Sequence, residues 1–475
     1  MRTHITSLCR HIANELGLHS LLSSARDVRL LILIKFVRMV AFGQSSIFLV
    51  QFFNAHGYSE SLSGLFMSST LIGDVIISYF LTLNADRIGR RRVLCIGALM
   101  MLASGVVFAV SNNFYILLLA AVIGVISPSG SDIGPFQTVE ESTLAHLVAP
   151  QYRNDIYAWY SLGSALALAC GHISGGWLIN ALTAPRIGLS SLEAYKSIFF
   201  IFAIFGGLKL LLSLSLSHKV EAPLYELSST SSSSINNKKI EHTSTPPSET
   251  TSLLSPPQTP IDQEASLTPI TPRRKFSILP ELSAASTNIV VKLSLLFALD
   301  SFASSLIKST WVSYYMTKKF NINPTVLGST FFVTGIIASL AMLVSSSLAK
   351  RLGPVLTMAL THFPSSAILI FLPMPASFSA FFILLVLRSC TCQMDVAPKQ
   401  AFLSMVVLSS ERTAVMAWVN VVKTCSQIFG PSIAGFLAHE NKQWICFVLA
   451  GSLKVLYDIL ILLTFAFKPF ISSEQ

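Results

Sequence analysis

Twelve stretches of this chain are each apolar over about the 20 residues that a helix needs to cross roughly 30 Å of hydrocarbon. They lie at 30–53, 61–83, 93–111, 114–145, 155–183, 195–217, 289–316, 324–349, 353–373, 377–407, 412–438 and 443–467. Hydrocarbon offers no partner to backbone N–H and C=O groups, so runs of this length must close their hydrogen bonds internally, as helices. The dyad alternation of a membrane barrel is absent. The fold class expected is all-α and integral to a bilayer, with twelve transmembrane helices. At 52% hydrophobic and 12% charged residues, the chain has too little polar surface for a soluble domain.

Short basic loops stay on the cytoplasmic side of a membrane. The loop "NADRIGRRRVL" after span two falls on the same side of the twelve-span path as Arg2, Arg10, Arg26 and Arg29. Lys219, Lys238, Lys239, Arg273, Arg274, Lys275, Lys350 and Arg351 fall there too, so both termini are expected in the cytoplasm. This topology absorbs the formal net charge of +10 and leaves nothing for a nucleic-acid partner. The first 28 residues lack the apolar core and cleavage site of a signal peptide, while Ile5, Leu8, Ile12 and Leu16 recur at the spacing of an interfacial helix. The seven cysteines are scattered, and Cys390 and Cys392 face opposite ways on a helix, so neither a disulfide nor a metal is expected between them. No cofactor is expected.

Residues 218–288 break the pattern with segments such as "SSTSSSSINNKK" and "TSTPPSETTSLLSPPQTP", the composition of a disordered linker. The expected organisation is a cytoplasmic tail at 1–28, a six-helix bundle at 29–217, a cytoplasmic linker at 218–288, a second bundle at 289–467 and a tail at 468–475. The two halves repeat one another. "RNDIYAWYSLGSALALACGHISGGWL" aligns without a gap on "RTAVMAWVNVVKTCSQIFGPSIAGFL" at an offset of 259, matching Arg153 with Arg412, Gly171 with Gly430 and Gly176 with Gly435. "DIGPFQ" aligns on "DVAPKQ" at 263, and "ADRIGRR" is echoed by "AKRLGPV" at 264. Duplication of this kind is a signature of secondary transporters, with sites at the interface of the repeats.

The six-plus-six duplication, the hydrophilic linker and "ADRIGRRRVL" after span two together resemble the major facilitator superfamily, in a eukaryotic, fungal form. The superfamily's loop motif GxLADRxGRR is matched by Ala85, Asp86, Arg87, Gly89, Arg90 and Arg91, with Thr82 and Asn84 in place of its glycine and leucine. The resemblance implies two bundles that rock about a central cavity lined by spans one, four, seven and ten, and a small-molecule substrate. The basic span four of drug/proton antiporters is not matched, since span four here has carboxylates and no arginine. Independently of family, Gly89 permits a tight turn, and Asp86, Arg87, Arg90 and Arg91 can engage helix ends and charges across the bundle interface, as a conformational gate.

An ionisable side chain at the centre of a membrane helix costs about 2.5–3.5 kcal/mol even on the most forgiving scale, so such residues should face a cavity or one another. Span one contributes Arg38; span four Asp132, Glu140 and Glu141; span seven Asp300; and span ten Arg388, Asp395 and Lys399. In continuous helices, Arg388, Asp395 and Lys399 share one face, as do Asp300, Ser304, Lys308 and Trp311. Pro135 is expected to loosen span four near its carboxylates. These eight charges are the candidates for binding substrate or protons. Glu140 and Glu141, neighbours of like charge, are candidates to exchange a proton. Asp395 is a candidate to orient Arg388 and Lys399 towards an anionic part of a substrate, or to pair with Lys399 one turn away. Asp74 and Lys423 suit interbundle pairs, and His172 a buried interior position.

No GxxxxGK[ST] motif and no nucleophile–base constellation is present, so neither a nucleotide-driven pump nor an enzyme is expected. The expected function is secondary active transport of a small polar or amphipathic solute by alternating access, coupled to protons, in a monomer. The alternative is a transporter-derived sensor or receptor with little flux. The linker offers Thr245, Ser255, Thr259, Thr268, Thr271 and Ser277 to kinases. "ETTSLL" offers Glu249, Leu253 and Leu254 to sorting adaptors as an acidic dileucine signal; whether the protein resides in an endomembrane (vacuole or ER) or the plasma membrane stays open.

Overall fold

The computed structural model describes residues 21–124, 135–221, 284–406 and 412–465, and within them each of the twelve apolar stretches is built of helix, in some cases with a short break. The expectations for Asp132 and for the linker residues Glu249, Leu253 and Leu254 fall outside these residues. Spans two, three, five, six, eight, nine and twelve are single helices: Glu60–Ile88, Arg90–Val110, Arg153–Thr183, Ser191–Leu214, Pro324–Leu352, Pro354–Phe371 and Trp444–Phe465. Spans one (Arg26–Ser46, Leu49–Ala55), seven (Ala284–Leu306, Ser309–Phe320), ten (Phe378–Ser389, Val396–Val406) and eleven (Arg412–Gln427, Phe429–His439) are each two helices, and span four is helical where described, over Phe114–Gly124 and Pro135–Leu147.

Local chemistry sets many of the boundaries. Ser190 and Glu193 form a reciprocal capping box at the start of span six, and Asn323 caps span eight ahead of Pro324. Gly89 separates spans two and three at φ +99°, and its repeat equivalent Gly353 separates spans eight and nine at φ +79°. Both conformations are natural to glycine and strained in other residues, which explains why the loop motif and its echo keep this one residue.

The interruptions correct the expectation of continuous stripes, and each has a physical cause. In span eleven, Pro431 supplies no N–H to the Gln427 carbonyl. Ser68 of span two then enters the ladder, its hydroxyl donating to the Ile428 carbonyl and accepting from Ser432 N at 3.2 Å. Span one bends by 45° at Ile47 and Phe48. Thr310 donates to the Ser46 carbonyl at 2.8 Å, and Ser313 to that of Ile47. Carbonyls released by a break inside a membrane need protein partners, and here the opposite half supplies them. The expected loosening of span four at Pro135 involves residues 125–134, which lie outside the described residues.

The packing partners repeat across the duplication. Span one lies against five and three against six; seven lies against eleven and nine against twelve. The two bundles meet where five packs on eight and two packs on eleven. These contacts bring backbones together through glycine. A Cβ on Gly64 would stand 2.5 Å from the Pro431 carbonyl oxygen, and one on Gly176 2.3 Å from that of Pro324, with Gly435 and Gly328 facing them. Gly64, Gly176, Gly328 and Gly435 all sit towards one end of the bundles, the far end, which carries the turns at residues 56–59, 321–323 and 440–443. The opposite, terminal end carries the turns at Gly89 and Gly353.

Hydrophobic packing shows the same polarity. One cluster at the far end joins both bundles, taking in Phe48, Phe52, Phe53 and Phe66 from the first half and Trp311, Tyr315, Phe381 and Phe447 from the second. At the terminal end the described residues form two separate clusters. One holds Leu31, Ile34, Leu94, Leu144 and Tyr160; the other holds Leu293, Phe297, Met358, Phe402 and Tyr457.

Gly64→Leu is expected to force the bundles apart at the far end, because backbone rather than a flexible side chain stands in the way. A cysteine placed at the buried Thr310 should then react several-fold faster with a membrane-impermeant maleimide than in the Gly64 background; equal rates would mean that the seal does not depend on this approach.

Candidate functional site

Each bundle buries one cluster of charges beside its terminal-end core. In the first bundle, Glu140 is fully buried on span four. Its Oε2 accepts from Arg38 Nη2 of span one at 3.2 Å and from the Tyr160 hydroxyl of span five at 2.6 Å. The charges of Lys209 on span six and Lys35 on span one also act on it, and Lys35 lies 4.3 Å from the Tyr160 ring centre. Glu141 is half-buried and, as the next residue on the helix, points about 100° away from Glu140. Tyr157 donates to the Glu141 backbone carbonyl at 2.7 Å, and the Glu141 charge also acts on Tyr160, whose hydroxyl binds Glu140.

In the second bundle the charges form a chain across four spans. Lys399 of span ten bridges Asp395 Oδ2 at 2.8 Å and Asp300 Oδ2 of span seven at 2.9 Å. Asp300 Oδ1 accepts from Lys454 of span twelve at 2.7 Å. Lys454 Nζ lies 3.4 Å from Nε2 of His362 on span nine, whose Nδ1 lies 2.8 and 3.0 Å from the two carboxylate oxygens of Asp458 on span twelve. Tyr457 flanks Lys399, its ring centre 5.4 Å from the ammonium. Ionic groups buried like this persist only when each is paired and hydrogen-bonded.

Two expected stripes are not found. The turn at Cys390–Asp395 separates Arg388 from Asp395 and Lys399, and Arg388 is not among the partners of Asp395. Lys308 lies beyond the break in span seven and donates to Gln427 Oε1 at 3.2 Å, away from Asp300. Asp395 does pair with Lys399 one turn on, the simpler of its two expected roles. His172 is buried against the Phe331 ring, 5.4 Å between centres, and Asp74 is buried on span two.

Two of the described loop-motif contacts run from Arg90 and Arg91 to the chain leaving span six. Arg91 donates to the Leu214 carbonyl at the end of span six at 2.6 Å, and the Arg90 backbone N–H donates to Glu221 Oε2 at 2.7 Å. They fasten the terminal end of span three to the chain leaving span six. Asp86 and Arg87 close the last turn of span two.

At the far end, a polar cluster ties the bundles together. Glu60 of span two accepts from the Tyr314 hydroxyl and pairs with Lys318 at 3.4 Å and His439 at 3.3 Å, all three from the second bundle. Gln51 donates to Ser313 at 2.9 Å and Asn54 to Tyr314 at 3.3 Å.

Sequence reasoning missed Lys35, Tyr160, Lys209, His362, Lys454 and Asp458. A signal for two of them lies in the repeats. "GGLK" at 206–209 and "GSLK" at 451–454 align at an offset of 245, so Lys209 and Lys454 are equivalent. In both places the leading glycine presses on the neighbouring helix: a Cβ on Gly206 would meet Leu102 N at 2.6 Å, and one on Gly451 the Ser366 carbonyl at 2.9 Å.

Two repeated six-helix bundles, joined at one end and each holding buried charges, are the architecture of a membrane transporter. The sequence model of the Major Facilitator Superfamily matches residues 31–278 and 293–473, and the chain belongs to that family. It is 35% identical over 444 residues to an uncharacterized membrane protein of Saccharomyces cerevisiae, covering 92% of this chain and 94% of the relative. Among solved structures, the inward-facing, occupied form of a bacterial homologue of the human lysosomal transporter Spinster superposes with a TM-score of 0.65 at 13% identity, over 92% of this chain and 95% of that one. A D-xylose–proton symporter superposes with a TM-score of 0.64 at 14% identity, over 94% and 100%.

Replacing Glu140 by glutamine removes the fully buried carboxylate that Arg38, 20% exposed, and Lys209 and Lys35 face, a loss of about 1–3 kcal/mol for a pair exposed on one side. The expected result is a clear fall in melting temperature in detergent, part of which Arg38→Met in the same chain restores. A Glu140→Gln melting curve that overlays the parent would show that the pair carries no stability.

Proposed function

We propose that the protein is a secondary active transporter that moves a small polar or amphipathic solute by alternating access, coupled to protons. The observation that carries this reading is the polarity of the packing. One apolar core joins the bundles at the far end, whereas at the terminal end the described residues form a separate core in each bundle. Such an arrangement is one of two states of a rocking pair. The opposite state needs the far-end contacts of Glu60, Tyr314, Lys318 and His439 to part. A seal made of hydrogen bonds and exposed ion pairs suits that reversal, because water replaces each lost contact at small net cost.

The basic residues of the terminal-end loops support a cytoplasmic position for that end. The buried charges on spans one, four, seven and ten lie between the separate terminal-end cores and the shared far-end core, where a solute would enter. They suit a solute that offers hydrogen bonds or charge. The symporter among the structural neighbours bears the words xylose and proton in its own name; for this chain, proton coupling is supported by the buried carboxylates.

The test compares polar metabolites in cells with and without the protein, then measures uptake of the compounds that differ into liposomes containing purified protein. Uptake against a gradient is expected under an imposed proton gradient, and Asp300→Asn, which leaves Lys454 without its carboxylate and Lys399 with Asp395 alone, should reduce it at least tenfold. Binding of a compound without any flux in the parent protein would instead identify a sensor.

A further inference from the structure

The fold does not require the His362–Asp458 pair. At the repeat offsets of 264 and 245, the first-bundle equivalents of His362 and Asp458 are Ala98 and Ser213. Span three packs on span six there just as span nine packs on twelve, and Ala98 and Ser213 are likewise fully buried. The same helix pairing is thus built once from small, uncharged residues and once around an imidazole and a carboxylate. Burying the second kind is costly unless the charges are matched.

They are matched only with one further proton. The bonded chain comprises Asp395, Lys399, Asp300, Lys454, His362 and Asp458. With a neutral imidazole it holds three carboxylates against two ammonium groups. The partners fix which tautomer that is: both Asp458 oxygens accept, so Nδ1 carries the hydrogen, and the Nε2 lone pair faces Lys454 Nζ at 3.4 Å and Asp300 Oδ1 at 3.9 Å. A proton on Nε2 makes the chain neutral. The other groups facing this cluster are the Tyr457 ring, 6.0 Å from that of His362, and the Ser366 hydroxyl, 3.4 Å from Asp458. Lys423, only partly buried, and Lys308 act on members of the cluster from outside the bonded chain, and Arg388 acts on Cys392 beside it.

We propose that His362 and Asp458 hold the exchangeable proton of this transporter, on spans nine and twelve, away from the spans expected to line the solute path. Lys454 and Asp300 connect the site to Lys399. Uptake is a proton transfer: a hydronium ion gives its proton to the His362 Nε2 lone pair and departs as water, the contact of Nε2 with Lys454 Nζ breaks, and the new imidazolium competes with Lys454 for Asp300 Oδ1. Lys454 then yields, which changes the hold of Asp300 on Lys399, the most exposed member of the chain at 15%. Protonation is linked in this way to a cation at the edge of the solute path. The inference rests on the proton-coupled reading above, but its test needs no solute.

Full-length protein carrying 15N-labelled histidine is reconstituted in liposomes and followed by solid-state NMR across about pH 5 to 9, the range in which histidine sites titrate. The His362 signals are those lost in His362→Asn. They should pass from the Nδ1–H tautomer to the imidazolium. Asp458→Asn and Asp300→Asn should each move the midpoint about one pH unit towards acid, because the imidazolium loses a neighbouring negative charge; His172→Asn should not move it. The double variant His362→Ala with Asp458→Ser installs the residues the first bundle already packs, and should fold normally yet bind one proton fewer in a dye-monitored acid titration. A His362 locked in one protonation state, a midpoint indifferent to Asp458, or a double variant that binds as many protons as the parent would each overturn the proposal. A titrating His362 in a protein that accumulates no solute would uphold the proton site and count against transport.

Discussion

Hydrocarbon gives a polar group nothing to bond to, and most of what is distinctive in this molecule follows from that. Every backbone carbonyl freed by a helix break needs a protein partner. At Ser46, Ile47 and Ile428 the partner is a hydroxyl from the other bundle. The breaks in spans one and eleven are therefore also points at which the two halves are joined. Buried charges obey the same constraint, and each cluster is assembled from at least three spans because no single helix can surround an ion.

The duplication shows how one scaffold is given two chemistries. Gly43 packs on Gly171, and Ser305 on Gly430, in equivalent positions; counting five residues back from Gly43 and Ser305 gives Arg38 and Asp300. In the first bundle a span-one cation meets a span-four carboxylate, Glu140; in the second a span-seven carboxylate meets a span-ten cation, Lys399. The pairing of spans is kept and the signs are exchanged. Lys209 and Lys454 are common to both clusters, while the imidazole and the second carboxylate on span twelve belong to one. Features shared by the repeats read as architecture. Those confined to one half are where different jobs can reside.

The family, the twelve spans and the candidate charges on one, four, seven and ten were legible in the sequence, because length, apolarity and repeat offsets are properties of local text. The clusters were harder to read. Arg38 and Glu140 are 102 residues apart, and Lys454 and Asp300 are 154 apart; nothing in one segment names its partner in the other. His362 and Asp458 sit in otherwise ordinary apolar helices. An ionisable residue there signals function only when its neighbours are known.

What the sequence by itself determined is the number of helices, the two repeated halves and the presence of charges that must be compensated. Its hydrophobicity also sets the solvent those helices accept. Only the tertiary structure decided which charges meet, and the reason is geometric. Helical periodicity predicts a shared face within an unbroken helix, and the interruptions near Ile47, Ile307, Cys390–Asp395 and Ile428 reset that phase. Arg388 and Lys308 were thereby separated from the carboxylates their spacing pointed to. Lys399, Lys454 and His362 were brought around Asp300 instead, by glycine contacts and helix crossings that no linear count contains.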